Sequence, residues 1–273
     1  MLKKRIIPII LLRNGLIVQS RGFNKYQVLG SPTAAVQRLS SWYSDELIYI
    51  DISNESLYDL KRDDLNHPEF NSIISIIELV SKKCLMPLTF GGGIRTLDDV
   101  RSRVALGADK ITVNTIAIEN PEMITKIAEE FGSQCVVVSI DVKRNINGSS
   151  FVYKRGQEPT NLNPVEFAKK VEKLGAGEIL LNSIDRDGTG LGFDIELINE
   201  VSSAVRIPVI AAGGAGKWED FEEVLVKTRA SAVAAANIFH HSENSMYNVK
   251  KYLFDKKLEV RKPMDLSSLN TNL

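Results

Sequence analysis

The stretch PLTFGGGIRTLDDV, Pro87–Val100, runs from a short apolar segment through three glycines into a helix with an acidic start. The same order returns in PVIAAGGAGKWEDF, Pro208–Phe221, with proline, apolar run, paired glycines, basic residue and acidic helix start. A second pair, DELIYIDIS at Asp45–Ser53 and GEILLNSIDRD at Gly177–Asp187, repeats in the same sequence order. Long-period repeats of this kind predict two similar halves in tandem. Chance likeness between strand–helix units is the alternative.

Apolar strand-like segments alternate with helical segments along the 273 residues. Near-continuous runs of Val, Ile and Leu with helical crossovers are typical of parallel strands that are buried on both faces. Eight such units in this length predict a (β/α)8 TIM barrel built from two similar half-barrels, rather than an open doubly wound sheet. We expect one barrel domain over residues 1–262 and a polar tail over 263–273. The predicted strands are Arg5–Leu12, Glu46–Ile52, Met86–Phe90, Lys110–Val113, Cys135–Val142, Glu178–Asn182, Pro208–Ala211 and Ser231–Ala235.

Two segments depart from the regular alternation. Ser20–Ser31 is polar and flanked by glycines, and we expect a lid-like loop after the first strand. Ser56–Phe70 is a charged insertion after the second strand, near the predicted barrel mouth.

The chain has 34 basic and 34 acidic residues, so its formal net charge is zero. This argues against general electrostatic binding to nucleic acid or to anionic membranes. The two cysteines, Cys84 and Cys135, offer no metal-ligand spacing, and we expect neither a metal nor a cofactor. The apolar run near the N-terminus is too short to span a membrane. We therefore expect a cytoplasmic protein.

Glycine pairs follow the third and seventh predicted strands, where a barrel of this kind carries its active site. Backbone N–H groups at such glycines, together with the N-terminus of the following helix, attract anions. Two symmetry-related loops therefore predict two phosphate cradles on opposite sides of the mouth, although tight turns alone are the alternative. The first cradle comprises Gly92, Gly93, Asn114 and Thr115, and the second comprises Gly213, Gly214, Ala236 and Asn237.

Four aspartates, Asp51, Asp141, Asp185 and Asp187, lie at or just after predicted strand ends. Carboxylates facing a polar mouth can act as general acids or bases. Asp141 interrupts an apolar strand, where burial without a purpose would be costly. Asp185 and Asp187 are also good turn formers, so a purely structural role remains open for them.

A third set of charged residues marks the opposite end of the strands. Arg5, Glu46, Lys110 and Glu178 each stand at the start of a predicted strand. Two cations and two anions at the bottom of a barrel can close into a salt-bridged ring around its axis. Such a ring is either a device for stability, which these residues alone favour, or a gate into the barrel interior.

As an ordered set, these motifs resemble the cyclase subunit of imidazole glycerol phosphate synthase, from about Lys4 to Leu258. The resemblance implies a barrel that holds a bisphosphorylated substrate between the two predicted cradles. It also implies a separate glutaminase that docks on the bottom face, near Asp109, and releases ammonia into the barrel. Under this resemblance the four charged residues at the bottom are the ammonia gate.

The chain departs from that family at two positions. The family uses two symmetry-related aspartates for acid–base catalysis; the second matches Asp141, but the first matches Leu11. In a working cyclase, Asp141 would carry the acid–base chemistry alone or with help from Asp187. A family lysine on the first loop matches Gln19.

Variants with an aliphatic residue at that position resemble paralogues that supply ammonia to an ATP-dependent amidotransferase. That partner converts an acetamido group to an acetamidino group on a nucleotide sugar for lipopolysaccharide. We therefore expect such a paralogue, with doubtful cyclase activity of its own. The alternatives are a functional cyclase of histidine biosynthesis, which makes imidazole glycerol phosphate and aminoimidazole carboxamide ribotide, and a non-catalytic scaffold that binds a phosphorylated ligand.

Overall fold

A closed parallel barrel forms the centre of the molecule. The computed structural model describes residues 3–42, 44–53, 58, 70, 72–240 and 245–263. Eight strands are hydrogen-bonded in the order β10-β11-β12-β1-β4-β5-β6-β7, and pairing of β7 with β10 closes the cylinder. All the pairings around the cylinder are parallel, which confirms the predicted (β/α)8 barrel.

The strands are β1 Arg5–Arg13, β2 Leu16–Arg21, β3 Lys25–Gly30, β4 Leu47–Asp51, β5 Leu88–Gly91, β6 Lys110–Val113, β7 Val136–Arg144, β8 Ser150–Lys154, β9 Glu158–Pro159, β10 Glu178–Ser183, β11 Val209–Ala212 and β12 Ala232–Ala235. The α-helices are α1 Pro32–Ser41, α2 Ile73–Ser81, α3 Leu97–Ala105, α4 Thr115–Glu119, α5 Glu122–Phe131, α6 Pro164–Lys173, α7 Ile195–Ala204, α8 Trp218–Lys227 and α9 Met246–Asp255. Within the part of the chain that the structure describes, no helix is long and apolar enough to cross a membrane.

Along most of the barrel strands, alternate residues belong to two separate apolar clusters. Ile6 and Ile10 of β1 pack in the large cluster shared with the surrounding helices, whereas Ile7 and Ile9 pack in a smaller one. Successive side chains of a strand point to opposite faces, so the smaller cluster fills the barrel interior. Its buried members are Ile7, Ile9, Ile48, Val137, Leu180, Ile210, Ala212, Ala232 and Ala234.

The segment after the first strand is a β-hairpin, so the predicted loop at Ser20–Ser31 is wrong as a description of the backbone. β2 pairs antiparallel with β1, and β3 pairs antiparallel with β2. β3 could not be predicted from the sequence because none of its six residues is buried, and its Val28 is 58% exposed. Strands of this kind give no hydrophobic period to detect.

A matching hairpin follows the first strand of the second half. β1 and β7 are each nine residues long, and each is extended by an antiparallel strand, β2 and β8 respectively. Leu11 opposes Val18 and Asp141 opposes Tyr153, and each is the first residue of its strand in the antiparallel ladder. Leu11 and Asp141 therefore occupy equivalent positions in the two halves.

Two predicted segments lie largely or wholly outside the described residues. Of the insertion Ser56–Phe70, only Tyr58 and Phe70 are described, and both are buried. The polar tail is described only as far as Pro263.

Candidate active site

A cavity of about 470 Å³ opens at the carboxyl ends of the barrel strands. This is the end at which barrels carry their catalytic groups, because strand exits and the following loops converge there. The cavity is lined by residues from all eight barrel strands or the loops that follow them, including both predicted glycine pairs and Asp51, Asp141 and Asp187. Most of the sequence-predicted mouth residues are thus brought together in one place.

The glycines of both cradles have backbone conformations that exclude other residues. Gly92 has φ +94°, and a Cβ built on it would lie 1.9 Å from the carbonyl oxygen of Asp51. Gly213 has φ +89°, and its Cβ would lie 2.6 Å from Oδ1 of Asn182. Both loops therefore pack backbone directly against the neighbouring strand exit, which leaves their outer faces open to the cavity.

The residues that follow β6 and β12, the fourth and eighth strands of the barrel itself, complete the two cradles. Asn114 and Thr115 line the cavity beside the first glycine pair, and Ala236 and Asn237 line it beside the second. Asn114 accepts a hydrogen bond from the backbone N–H of Arg155 at 2.9 Å. Arg155 has φ +53°, a conformation rare outside glycine.

Asp141 lies at the floor of the cavity with only 6% of its surface exposed. Nδ2 of Asn114 and the hydroxyl of Ser139 donate to its carboxylate, each at 3.3 Å. Burial raises the pKa of Asp141, the Ser139 hydroxyl opposes that rise and the carboxylate of Asp187 adds to it, so that the pKa is about 7. A carboxyl group with this pKa can both release and take up a proton near neutral pH.

Asp187 reaches the cavity from the loop after β10. Its carboxylate accepts a hydrogen bond from the Ser20 hydroxyl at 2.9 Å and a longer one from the Phe23 N–H at 3.4 Å. Burial raises the pKa of Asp187, and the hydrogen bonds from the β2–β3 hairpin oppose that rise. The hairpin thus closes over this side of the mouth and fixes the second carboxylate.

Leu11 lines the cavity opposite an apolar partner. It pairs with Ile50 of β4, whereas Asp141 pairs with Asn182 of β10. At this level of the barrel the pair on β1 and β4 is consequently apolar, and the pair on β7 and β10 is polar. Sequence reasoning missed Asn182; its signal was a polar residue at the last inward position of an apolar strand.

Two positions that the sequence placed at the mouth, Gln19 and Asp185, do not line the cavity. Gln19 opposes Gln27 in the hairpin and is not among the residues that line the cavity. Asp185 lines a separate, open groove and accepts a hydrogen bond from the Arg144 N–H at 2.8 Å, as a turn residue would. Asp51 does line the cavity, and its carboxylate accepts from the Tyr58 hydroxyl at 2.8 Å.

The four charged residues at the bottom of the barrel form a closed, alternating ring. Arg5 contacts both Glu46 and Glu178, and Lys110 also contacts both, with Nζ 2.9 Å from Glu46 and 3.0 Å from Glu178. Burial alone would raise the pKa of Glu46, but Arg5 and then Lys110 lower it below its usual range. The ring thus holds Glu46 as a carboxylate at neutral pH.

Between the ring and the mouth, the inward side chains are the interior apolar cluster and buried hydroxyls. Thr89 and Thr112 are 1% and 3% exposed. Asp109, just before β6, is exposed beside Lys110, and its carboxylate accepts from the Leu88 N–H. Among the described residues, no group of His, Cys, Asp and Glu side chains is arranged to hold a metal ion.

Comparison with known proteins gives one consistent result. Residues 5–245 match the family described as histidine biosynthesis protein. The chain is 40% identical over 263 residues to the imidazole glycerol phosphate synthase subunit HisF of Alkaliphilus metalliredigens, covering 96% of this chain and 100% of that protein. It is 44% identical to the HisF subunits of Lactococcus lactis subsp. cremoris (strain SK11) and Dehalococcoides mccartyi, covering 96% of this chain and 97% and 99% of theirs. The chain therefore belongs to the histidine biosynthesis protein family, in which these relatives are HisF subunits of imidazole glycerol phosphate synthase.

Proposed function

We propose that this chain is the cyclase subunit of an imidazole glycerol phosphate synthase and that Asp141 carries its acid–base chemistry. The observation that carries the proposal is a buried carboxyl group, with a pKa of about 7, between two glycine cradles. The names of its relatives favour this alternative over the sugar-amidation paralogue expected from the sequence.

The two cradles suit a substrate with a phosphate at each end. Each cradle combines glycine N–H groups with a helix N-terminus or a 3₁₀ turn, and both face the same cavity. A ligand held at both ends crosses the floor of the mouth, where Asp141 can take a proton from the reacting centre and return it. Asp187, tied to the hairpin, is the second candidate for proton transfer.

Ammonia would reach the cavity from the bottom of the barrel. A separate glutaminase that docks on the bottom face, near Asp109, would release NH₃ at the ring of Arg5, Glu46, Lys110 and Glu178. The apolar interior above the ring favours the neutral molecule over the ammonium ion, because an isolated charge is costly in such surroundings. Passage requires the ring to open, since its four salt bridges close the axis.

The test is an assay of the purified chain with ammonium salt and the phosphorylated ribonucleotide intermediate of histidine synthesis. We expect turnover that falls by about 10²–10⁴-fold in Asp141→Asn, because one general acid–base group is lost. Asp185→Asn is the matched control, since Asp185 lies outside the cavity. A wild-type chain without turnover, or an Asp141→Asn variant with the wild-type rate, contradicts the proposal.

One observation favours a second function. Leu11 occupies the position equivalent to Asp141 in the other half, and a leucine can neither donate nor accept a proton. A barrel that only delivers ammonia to an ATP-dependent amidotransferase, for the acetamido-to-acetamidino conversion on a nucleotide sugar, has no need of that acid.

Leu11→Asp separates the two functions. If the chain is a working cyclase with one principal acid, the unmutated protein already turns over the ribonucleotide and the substitution changes the rate modestly. If the chain only delivers ammonia, the unmutated protein is inactive with that substrate. Strong activity that appears only in Leu11→Asp identifies Leu11 as the residue that redirected the barrel.

A further inference from the structure

Arg103 is a buried cation on a helix face that otherwise packs in the core. It lies on α3 three residues after Val100, and it is 4% exposed whereas Val100 is fully buried. Long side chains on a helix point back toward its N-terminus. The Arg103 guanidinium accordingly lies beside the start of α3, directly behind the first glycine cradle.

The guanidinium is bound to backbone oxygen atoms rather than to carboxylates. Nη2 of Arg103 donates to the carbonyl of Gly92 at 3.1 Å, and Nη1 donates to the carbonyl of Asp99 at 2.8 Å. Its ion pair with the Asp99 carboxylate is loose, at 3.9 Å, and its Nε has no hydrogen-bond partner in the described structure. Burial lowers the pKa of Arg103, as expected for a cation removed from water.

The two nearest carboxylates have other partners. Asp99 accepts from the backbone N–H groups of Arg95 and Thr96 in the capping box of α3. Asp51 accepts from the Ser53 hydroxyl at 2.5 Å and from the Tyr58 hydroxyl at 2.8 Å. The charge of Arg103 is therefore only partly compensated, and a buried charge without a close partner is costly.

The contact between Arg103 and the Gly92 carbonyl determines the direction of a backbone N–H in the first cradle. In a trans peptide the C=O and the following N–H point in opposite directions. Because the Gly92 carbonyl faces Arg103, the N–H of Gly93 faces the other side of the loop, where both glycines border the cavity. The second cradle has Ala215 and Lys217 at its helix start, and no buried arginine lies behind it in the described structure.

We propose that Arg103 is a positioning residue for the first cradle, which it makes the stronger anion site of the two. It holds the Gly92–Gly93 peptide with its N–H toward the cavity, and it adds a full positive charge behind the partial charge of the helix N-terminus. The favoured occupant is a phosphate dianion, and the inference rests on the proposed function in taking phosphate as the ligand.

The test uses the full chain labelled with [15N]glycine and titrated with inorganic phosphate. The amide resonances of Gly92 and Gly93 report the first cradle, and those of Gly213 and Gly214 report the second in the same sample. In Arg103→Leu we expect the dissociation constant at the first cradle to rise about tenfold, the scale of one lost contact with a charged group. The constant at the second cradle should not change.

Two further variants separate charge from packing. Arg103→Lys retains the charge but not the two-pronged contact, and we expect a loss smaller than that of Arg103→Leu. Arg101→Leu removes a cation from the exposed face of the same helix and should leave both constants unchanged. Circular dichroism checks that each variant folds, and Arg103→Met replaces Arg103→Leu if the latter does not.

The outcomes are distinguishable from failure of the proposed function. If the wild-type Gly92 and Gly93 resonances do not respond to phosphate, both the phosphate site and the role of Arg103 are overturned. If they respond but Arg103→Leu binds as tightly as the wild type, only the role of Arg103 is overturned. If Arg103→Lys loses as much as Arg103→Leu, the added positive charge does not strengthen the site, and the electrostatic part of the proposal is overturned.

Discussion

Asp141→Asn should stabilise the folded protein at alkaline pH while it removes activity. The ordinary pKa of an aspartate is 3.8, and burial raises that of Asp141 to about 7. The folded chain therefore binds this proton more tightly than the unfolded chain. The stabilisation from that proton is fully present below the unfolded pKa and is lost as the pH rises through 7, where a buried carboxylate must form.

The size of this change in stability follows from the pKa shift of Asp141. One pKa unit corresponds to about 1.4 kcal/mol, so the whole shift of about three units is worth at most about 4 kcal/mol. Most of the change falls between pH 5 and pH 8, where linkage gives about 2–3 kcal/mol. Asparagine carries no charge and escapes this loss, and its similar shape retains part of the hydrogen bonding with Ser139 and Asn114.

The assay is urea unfolding of both proteins at several pH values, followed by circular dichroism. We expect the stability of Asp141→Asn relative to wild type to rise by about 2–3 kcal/mol from pH 5 to pH 8. Asp185→Asn, the same substitution at an exposed carboxylate, is the control for general effects of pH. A stability difference for Asp141→Asn that does not vary with pH would refute the raised pKa and the catalytic role derived from it.

Two further substitutions test the ring and the first cradle. Glu178→Gln removes a buried carboxylate that two cations share, and chemical denaturation should show that the free energy of unfolding falls by about 3 kcal/mol. Glu166→Gln, at an exposed ion pair, should change the free energy of unfolding by less than about 1 kcal/mol. Gly92→Ala forces a Cβ onto the Asp51 carbonyl and should abolish phosphate binding at that cradle. Gly148→Ala has a similar φ but open space around it, and should retain binding with a stability loss of about 1–2 kcal/mol. Equal effects within either pair contradict the structural reasoning.

The ring and the cradles could be predicted because each depends on position along a strand. Arg5 and Glu178 begin strands, and the glycine pairs end them, so the barrel topology alone brings each set together. The eight strands were predictable for the same reason, since the apolar runs that form them are buried on both faces.

Other features could not be predicted because they depend on contacts distant in sequence. The raised pKa of Asp141 depends on burial by the whole barrel floor and on Asp187, 46 positions later by residue number. The β2–β3 hairpin is held by Asp187 and by Asn237, whose Nδ2 donates to the Ser20 carbonyl. The position of Arg103 behind Gly92 required the bend of the glycine loop to be known.

The central claim is that a bisphosphorylated substrate spans the mouth directly above Asp141. The most direct test is a crystal structure of the chain with the phosphorylated ribonucleotide bound. We expect one phosphate at Gly92 and Gly93, the other at Gly213 and Gly214, and the reacting atoms within hydrogen-bond distance of the Asp141 carboxylate. A ligand that binds with both phosphates on one side, or with Asp141 out of reach, would contradict it.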